Sequence, residues 1–496
     1  MGNMLPGMLI VLVCLAGYLF AFRLFGRNKI RSALILLMGC GLLLRIFTAS
    51  DPFLHKWDER YHALVAKNLM QHPLKPTLYD EPLLDYDYMN WGGSHVWLHK
   101  QPLPLWTMAA SMSLFGTSEF ALRLPSILLT TLGIWIIFVI GRILFNRRTG
   151  FIAAFLYSIH GLIIELTAGR VATDHVDIFF LFFIQLAVLF AILFAGNRNI
   201  WMNILCGISM GLAVLSKWLP ALIVIPVWLL MVLDSRRFTL REILLYLTLL
   251  CIVAVAVFLP WQLYIHRNFP QEARWASHFN RLHIFTGLEG HGKPFLYHFG
   301  QVRILYGEIV YLPLLWLFWK SFKDWMNFRR MALTVWILVP FIFFSFAQTK
   351  MQAYTLFTAP AIFIATALFW HYLYVYRRRF RFRWIPWLIL ILLLALPVRY
   401  SLERIKPFDS REKEIARAGE LKNMDVDDGR SVIFNVDDPI ATMFYTDFIA
   451  YEKIPDLKTV QRIAAEGYTV YINDRGMIGD SIRALPEVTF LKLKHN

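Results

Sequence analysis

Twelve apolar stretches, joined at alternate ends by short connectors rich in arginine and lysine, constrain this chain more than any other feature. The basic connectors are 23–31, 142–148, 236–241, 320–330 and 377–383. About 20 apolar residues in a helix cross the roughly 30 Å hydrocarbon core of a bilayer, and short basic loops gather on its cytoplasmic side. Placing all five connectors there gives one consistent path. The apolar runs lie near 5–22, 32–48, 122–144, 150–168, 175–195, 200–216, 218–233, 243–265, 303–320, 331–347, 353–376 and 384–399. They predict an all-α polytopic membrane protein of about 12 spans (range 11–14), with the segment after Thr48 on the outer face. Composition agrees: 57% of the 496 residues are hydrophobic and 17% charged, with a mean hydropathy of +0.51, outside the soluble range. The net charge of +16 clusters in those connectors, so it reports topology and secondarily attraction to anionic headgroups, not nucleic-acid binding.

No basic stretch precedes the first run and no small-residue cleavage site follows it, so it reads as a retained span rather than a leader. Cys14, Cys40, Cys206 and Cys251 all fall inside apolar runs. They predict core fillers and no disulfide framework. Residues 102–115 are apolar but too short to cross, and a crossing there would put Arg147 and Arg148 outside, against the charge rule. They predict a helix lying at the outer interface, with a second over 61–70. The outer face then holds a loop over 49–121, a second over 266–302, the turn 348–352 and the tail. The tail mixes VIFNV, TVYIN and TFLKLK with a helical DLKTVQRIAAEG, the pattern of a small extracytoplasmic α/β domain. The expected domains are therefore 1–31 (an extra span and its basic loop), 32–399 (the transmembrane core) and 400–496, with 402–430 a solvated connector.

Ionisable residues at the predicted outer face are candidates for chemistry. Asp58 and Glu59 stand in HKWDERYHALVAKNLM, where Asp58 suits either an N-cap or a carboxylate acting as general base. Asp174 and Asp177 open a span, and Arg170, four residues before Asp174, is spaced to pair with it on one helix face. Lys100, Lys217 and Lys350 reach a face where the charge rule expects few cations, and lysines beside carboxylates suit an anion such as phosphate. His278, His283, His291 and His298 share the second outer loop but fit no compact zinc spacing.

The order of these elements is similar to that of the GT-C membrane glycosyltransferases: DE in the first outer loop, then HKQP, RLPS (123–126), TD at a later span, and a K…Y turn before a late span. The branch it resembles holds the protein O-mannosyltransferases and the aminoarabinose transferase that modifies lipid A, over roughly 45–365. The resemblance implies Asp58, Glu59 and Asp174 as catalytic carboxylates. It implies Lys100, Arg170, Lys217, Lys350 and Tyr354 as ligands of the donor phosphate. It makes no cofactor certain, and His99 and His291 would be the ligands if a divalent metal ion were held. HKQPL stands where the family has KPPL, His99 where a glutamate is common, and His62 where a tyrosine is expected.

The implied activity is inverting transfer of a sugar from a polyprenyl-phosphate carrier to an envelope acceptor: a glycolipid such as lipid A, a glycan or a protein. It implies a bacterial inner-membrane protein with its site and tail on the periplasmic side. No glycine-rich nucleotide loop appears, which disfavours a nucleotide-sugar donor. The rival reading, a transporter or flippase of a lipid-linked glycan, expects charges at mid-span and repeat-related halves, whereas the charges here lie at span ends.

Overall fold

The computed structural model describes residues 4–406, 409, 411–424, 430–476 and 478–494. A hairpin of α1 (Met4–Gly26) and α2 (Ile30–Ala49) precedes α3 (Asp58–Leu69) and α4 (Pro102–Phe115). The bundle continues through α5 (Glu119–Leu144), α6 (Arg147–Ser158), α7 (Gly161–Thr167), α8 (Asp174–Asn197), α9 (Ile200–Lys217), α10 (Val224–Ser235) and α11 (Leu240–Asn268). Then follow α12 (Pro270–Phe285), α13 (Tyr297–Tyr306), α14 (Tyr311–Lys323), α15 (Phe328–Phe346), α16 (Ala359–Val375) and α17 (Ile385–Ile405).

Among the described residues, nine helices are long and apolar enough to cross a membrane, or up to 11 if each of two bent pairs is one crossing. This is fewer than the expected 12. Three local features account for the difference. The apolar helix Leu219–Ser235 is short, and the run near 303–320 belongs to a pair bent by 119° at Gly307. α6 and α7 also meet at a 51° break. There Arg45 of α2, fully buried, donates to the carbonyls of Ser158 (3.0 Å) and Gly41 (2.8 Å) and to Thr130 Oγ1 (2.8 Å). A charge inside a bundle is tolerated where its donors are satisfied in this way. α9 and α11 approach closely through Gly207 and Gly211, where a Cβ would stand 2.8 Å from the Leu250 carbonyl and 2.7 Å from that of Ala254. Small residues four apart on one face permit that contact.

The short helices α3 and α4 stand where interfacial helices are expected. The second outer segment is mostly helical: α11 runs to Asn268, and α12 and α13 fill most of 270–306.

The tail forms α18 (Glu412–Lys422), β1 (Ser431–Phe434), α19 (Pro439–Tyr445), β2 (Ile449–Tyr451), α20 (Leu457–Ala465), β3 (Thr469–Asn473), α21 (Asp480–Arg483) and β4 (Val488–Leu491). The strands are all parallel, in the order β2-β1-β3-β4. Three differences from expectation stand out. α17 runs past 400 to Ile405, so the bundle and tail are not divided there. The 402–430 connector contains α18, whose Ala418 and Leu421 are buried; its residues 407, 408, 410 and 425–429 lie outside the described ones. The short strand β2 went unassigned because IAY is too brief to show a period. One face of the sheet shares a core with the first outer segment. Ile433, Ile440, Met443 and Phe448 pack with Leu64, Leu69, Trp97 and Met108 of the α3–α4 region.

Candidate functional site

The first turn of α3 sets the site. Trp57 holds the cap position at φ 77°, without a side-chain cap bond, and Asp58 is already helical. Asp58 is therefore not an N-cap. Its carboxylate reaches across to other elements, accepting the Thr173 amide at 2.9 Å and meeting Lys100 Nζ at 3.2 Å. Lys100 is held there because extended Gln101 and Pro102 start α4 immediately after it, proline being pre-set for a first helical position. Burial tends to raise the Asp58 carboxyl, but Lys100, His62, His99 and the Thr173 amide outweigh it and hold it well below the usual range.

Glu59 points elsewhere. Fully buried, it accepts from Arg123 Nε at 2.7 Å and from the His55 amide at 2.6 Å. Arg123 also binds the carbonyls of Ala49 (3.0 Å), Asp51 (2.6 Å) and Phe53 (2.7 Å). Gly169, at φ +73°, lies where a Cβ would be 2.0 Å from Glu59 Oε1; glycine alone fits that approach and backbone shape. The structure thus brings Glu59 to the core under the loop and not to the cavity. The RLPS element works there too: Ser126 Oγ lies 2.7 Å from His175 Nδ1.

Arg170 and Asp174 do not pair. Arg170 precedes α8 in a non-helical turn, where it binds Asp51 (2.9 Å) and the Ile405 carbonyl (2.6 Å). Asp174, fully buried, meets His62 Nδ1 at 2.8 Å. Asp177, one turn further on, forms an ion pair with Lys217, whose ammonium also lies 4.6 Å from the centre of the Tyr354 ring.

A cavity of about 1060 Å³ opens on this cluster. His99, Lys100, Thr173, Lys217 and Tyr354 line its polar end, and Leu219, Leu222, Ile223, Val339 and Phe343 line much of the remainder. Arg274 and Arg281 of α12 add two more cations. With Ser277 and Ile284 they form a stripe at i, i+3, i+7 and i+10, one face of a helix. Sequence reasoning passed over these arginines, along with the partner role of Asp177. The available signal was two arginines seven apart on a face where cations are scarce.

Lys350 is not among the residues lining the cavity. Buried, it donates to the carbonyls of Lys293 (3.2 Å) and Ala347, while its amide binds the His291 carbonyl at 2.9 Å. It thereby ties the 348–352 turn to the loop before α13. His99 lines the cavity with its ring stacked on Trp91, centroids 4.7 Å apart. Burial and Lys100 push the His99 imidazole well below its ordinary value; His283 is likewise lowered to about 4. The donor set does not fit a metal ion: among the described residues no three His, Cys, Asp or Glu side chains gather as ligands, and a lysine ammonium adjoins His99.

Three residues other than glycine take positive φ beside this cluster: Trp57 (77°), Thr173 (69°) and Trp218 (71°). They adjoin Asp58, Asp174 and Lys217 respectively. Such backbones cost roughly 1–3 kcal/mol each and concentrate at functional sites.

Residues 99–264 match the family of dolichyl-phosphate-mannose-protein mannosyltransferases. The chain is 28% identical over 358 residues to undecaprenyl phosphate-alpha-4-amino-4-deoxy-L-arabinose arabinosyl transferase 2 of Pseudomonas fluorescens (strain Pf0-1), covering 66% of this chain and 57% of that protein. It is 30% identical over 269 residues to the corresponding transferase of Pseudomonas aeruginosa (strain UCBPP-PA14), covering 50% of this chain and 45% of the relative. The chain thus spans about half the length of the curated relatives it matches. Its fold superimposes on ArnT from Cupriavidus metallidurans bound to undecaprenyl phosphate, with a TM-score of 0.61 at 16% identity, covering 86% of this chain and 90% of the other. Archaeal oligosaccharyltransferase AglB from Archaeoglobus fulgidus, in complex with an inhibitory peptide and a dolichol-phosphate, gives 0.53 at 14% identity, covering 84% and 64%. The chain therefore has the GT-C fold, and the relatives it resembles belong to the aminoarabinose transferase branch of the GT-C glycosyltransferases.

Proposed function

We propose that the chain is an integral membrane glycosyltransferase that moves a sugar from a polyprenyl-phosphate carrier to an envelope acceptor, a glycolipid such as lipid A, on the periplasmic side of the bacterial inner membrane. The observation that carries this reading is Lys100, which lines the cationic end of a largely apolar cavity and pairs with Asp58 just behind that lining. A carrier of this kind is a phosphate on a long hydrocarbon tail, and the cavity offers one surface for each. Four cations, Lys100, Lys217, Arg274 and Arg281, suit the phosphate. The apolar wall around Leu219, Leu222 and Phe343 suits the tail. The named relatives are undecaprenyl-phosphate arabinosyl transferases, which supports the same donor class.

In the transfer, an acceptor oxygen attacks the anomeric carbon as the bond from that carbon to the carrier phosphate breaks. The carrier leaves with the electron pair, so configuration inverts. Preorganised cations stabilise the charge that grows on the leaving phosphate. Asp58 orients the acceptor and takes its proton. A carboxylate held low by Lys100 is a weak base, but an arriving phosphate competes for that ammonium and loosens it, raising Asp58's basicity as the donor binds.

The test uses the purified full-length chain in nanodiscs with a synthetic undecaprenyl-phosphate sugar. Asp58→Asn is expected to lower turnover by ~10²–10⁴-fold while undecaprenyl phosphate still binds. A stably inserted Asp58→Asn protein of full activity would refute the reading.

A further inference from the structure

The segment that delivers Asp58 is held on alternate residues from two sides. From the membrane bundle, Arg123 takes the carbonyls of Ala49, Asp51 and Phe53. From the tail, Lys422 Nζ takes the Pro52 carbonyl at 3.0 Å and Tyr445 Oη accepts the Leu54 amide at 2.7 Å. Tyr445 donates onward to Glu119 Oε1 at 2.8 Å, and Lys422 binds that same oxygen at 2.7 Å. Residues 49, 51 and 53 are thus fixed by the bundle, and 52 and 54 by the tail.

Helix α19 of the tail also grips α3 along its length. Asp438 caps α19 by accepting the Ala441 amide at 3.1 Å, and its other oxygen binds Arg60 at 2.8 Å. At the far end of α19, Lys67 donates to the carbonyls of Met443 (2.9 Å), Phe444 (3.2 Å) and Thr446 (3.0 Å). A cation on the last carbonyls of a helix complements its dipole. Both contacts leave α3 from residues within 10 positions of Asp58.

We propose that the C-terminal α/β region is part of the catalytic apparatus, with Tyr445 a positioning residue that sets where Asp58 stands against the cavity. Tyr445 is not among the residues lining the cavity at Lys100. It acts through the backbone of 55–57, which links its hydrogen bond at Leu54 to the start of α3. Misplacing a reacting group by about 1 Å costs up to ~10²-fold in rate, so one hydroxyl at this point has leverage on turnover. The hydrogen bonds of Tyr445 run to Leu54 and Glu119 rather than to the cavity's cations Lys100, Lys217, Arg274 and Arg281, so carrier binding is expected to be independent of it. The inference rests on the transfer reading for its kinetic arm only.

The experiment compares the full-length chain with Tyr445→Phe, and with Lys67→Met and Lys67→Arg as a second pair, in nanodiscs. Three quantities are read: turnover from a polyprenyl-phosphate sugar, Kd for undecaprenyl phosphate alone, and amide hydrogen exchange over 50–60. Tyr445→Phe is expected to lower turnover about tenfold, leave Kd within about twofold, and speed exchange at Leu54 and its neighbours. Lys67→Met should do the same, and Lys67→Arg should restore turnover. Unchanged turnover and exchange in Tyr445→Phe would overturn the proposal. So would a Kd weakened in proportion to the rate. If the unmodified protein transfers no sugar, the transfer reading fails, and faster exchange with unchanged Kd still establishes the tail's hold on the segment.

Discussion

At residue scale, Asp58 and Glu59 separate what sequence alone joins. Adjacent helical residues point about 100° apart, so one of two neighbouring carboxylates meets Lys100 at the cavity while the other is sealed against Arg123. Removing one partner of a buried ion pair leaves the other charge uncompensated, at a cost of ~3–5 kcal/mol. Glu59→Gln is therefore expected to lower the thermal midpoint of the detergent-solubilised protein markedly, in contrast to Asp58→Asn. The pH dependence follows from sign. Burial favours raising Glu59, yet Arg123 and His175 hold it well below the usual carboxylate range; Asp51, bound by His55, Arg170 and Arg411, is lowered to about 2. Carboxyls lowered on folding contribute stability above their unfolded values near 4, lost only as pH falls below that. His99 and His283 are lowered instead, so the unfolded chain binds their protons first and stability declines as pH falls from ~6.5 toward 4. Unfolding midpoints followed from pH 8 to 4.5 should show the same slope in wild type and Glu59→Gln, and a shallower one in His283→Asn.

At the scale of elements, α12 contributes most that sequence reading did not foresee. Its apolar residues are too sparse to show a helical period, so the sequence reads as loop there, yet Arg274 and Arg281 line the cavity. Lys350 shows the converse. Its position in the K…Y turn fits a phosphate ligand by resemblance, but its ammonium is spent on two carbonyls. Arg170 likewise lies four residues from Asp174, but the helix begins only at Asp174, so the spacing never becomes a shared face. Spacing tells which residues face one another only inside a continuous helix. Where a chain breaks, turns at positive φ or pairs across 100 residues, the period carries no information about the partner. A hydrogen bond to a charged group contributes about 1.5–3 kcal/mol, or roughly tenfold or more in affinity. Arg274→Gln and Arg281→Gln are each expected to weaken undecaprenyl phosphate binding about tenfold in nanodisc titrations. Lys350→Met should lower thermal stability with the Kd unchanged. A tenfold loss of affinity in Lys350→Met would return that residue to the phosphate site.

For the whole molecule, the alternation of apolar runs and basic connectors made the membrane fold legible, because the bilayer imposes length and charge rules on every span. The tail was legible as strands and helices but not as part of the site. Its proposed role arises from a core shared with α3 and α4 and from hydrogen bonds spanning more than 300 residues, as from Lys67 to Met443 and from the Leu54 amide to Tyr445. Those contacts fix one topological consequence. The tail, the α3–α4 segment and the cavity's cations share one face, so all lie on whichever side of the membrane the tail occupies. The connectors near Arg148 and Arg377 lie on the other, where both guanidiniums stack on Tyr374. The positive-inside rule expects that second face in the cytoplasm. Cysteines placed singly at two exposed positions, Glu466 in the tail and Arg381 after α16, test this directly. In cells with a permeabilised outer membrane, a membrane-impermeant maleimide should label Glu466→Cys at once and Arg381→Cys only after the inner membrane is broken, with the unsubstituted protein as background. Prompt labelling at Arg381 and protection at Glu466 would invert the topology and carry Asp58, Lys100 and the cavity to the cytoplasmic side, where a periplasmic acceptor could not reach them.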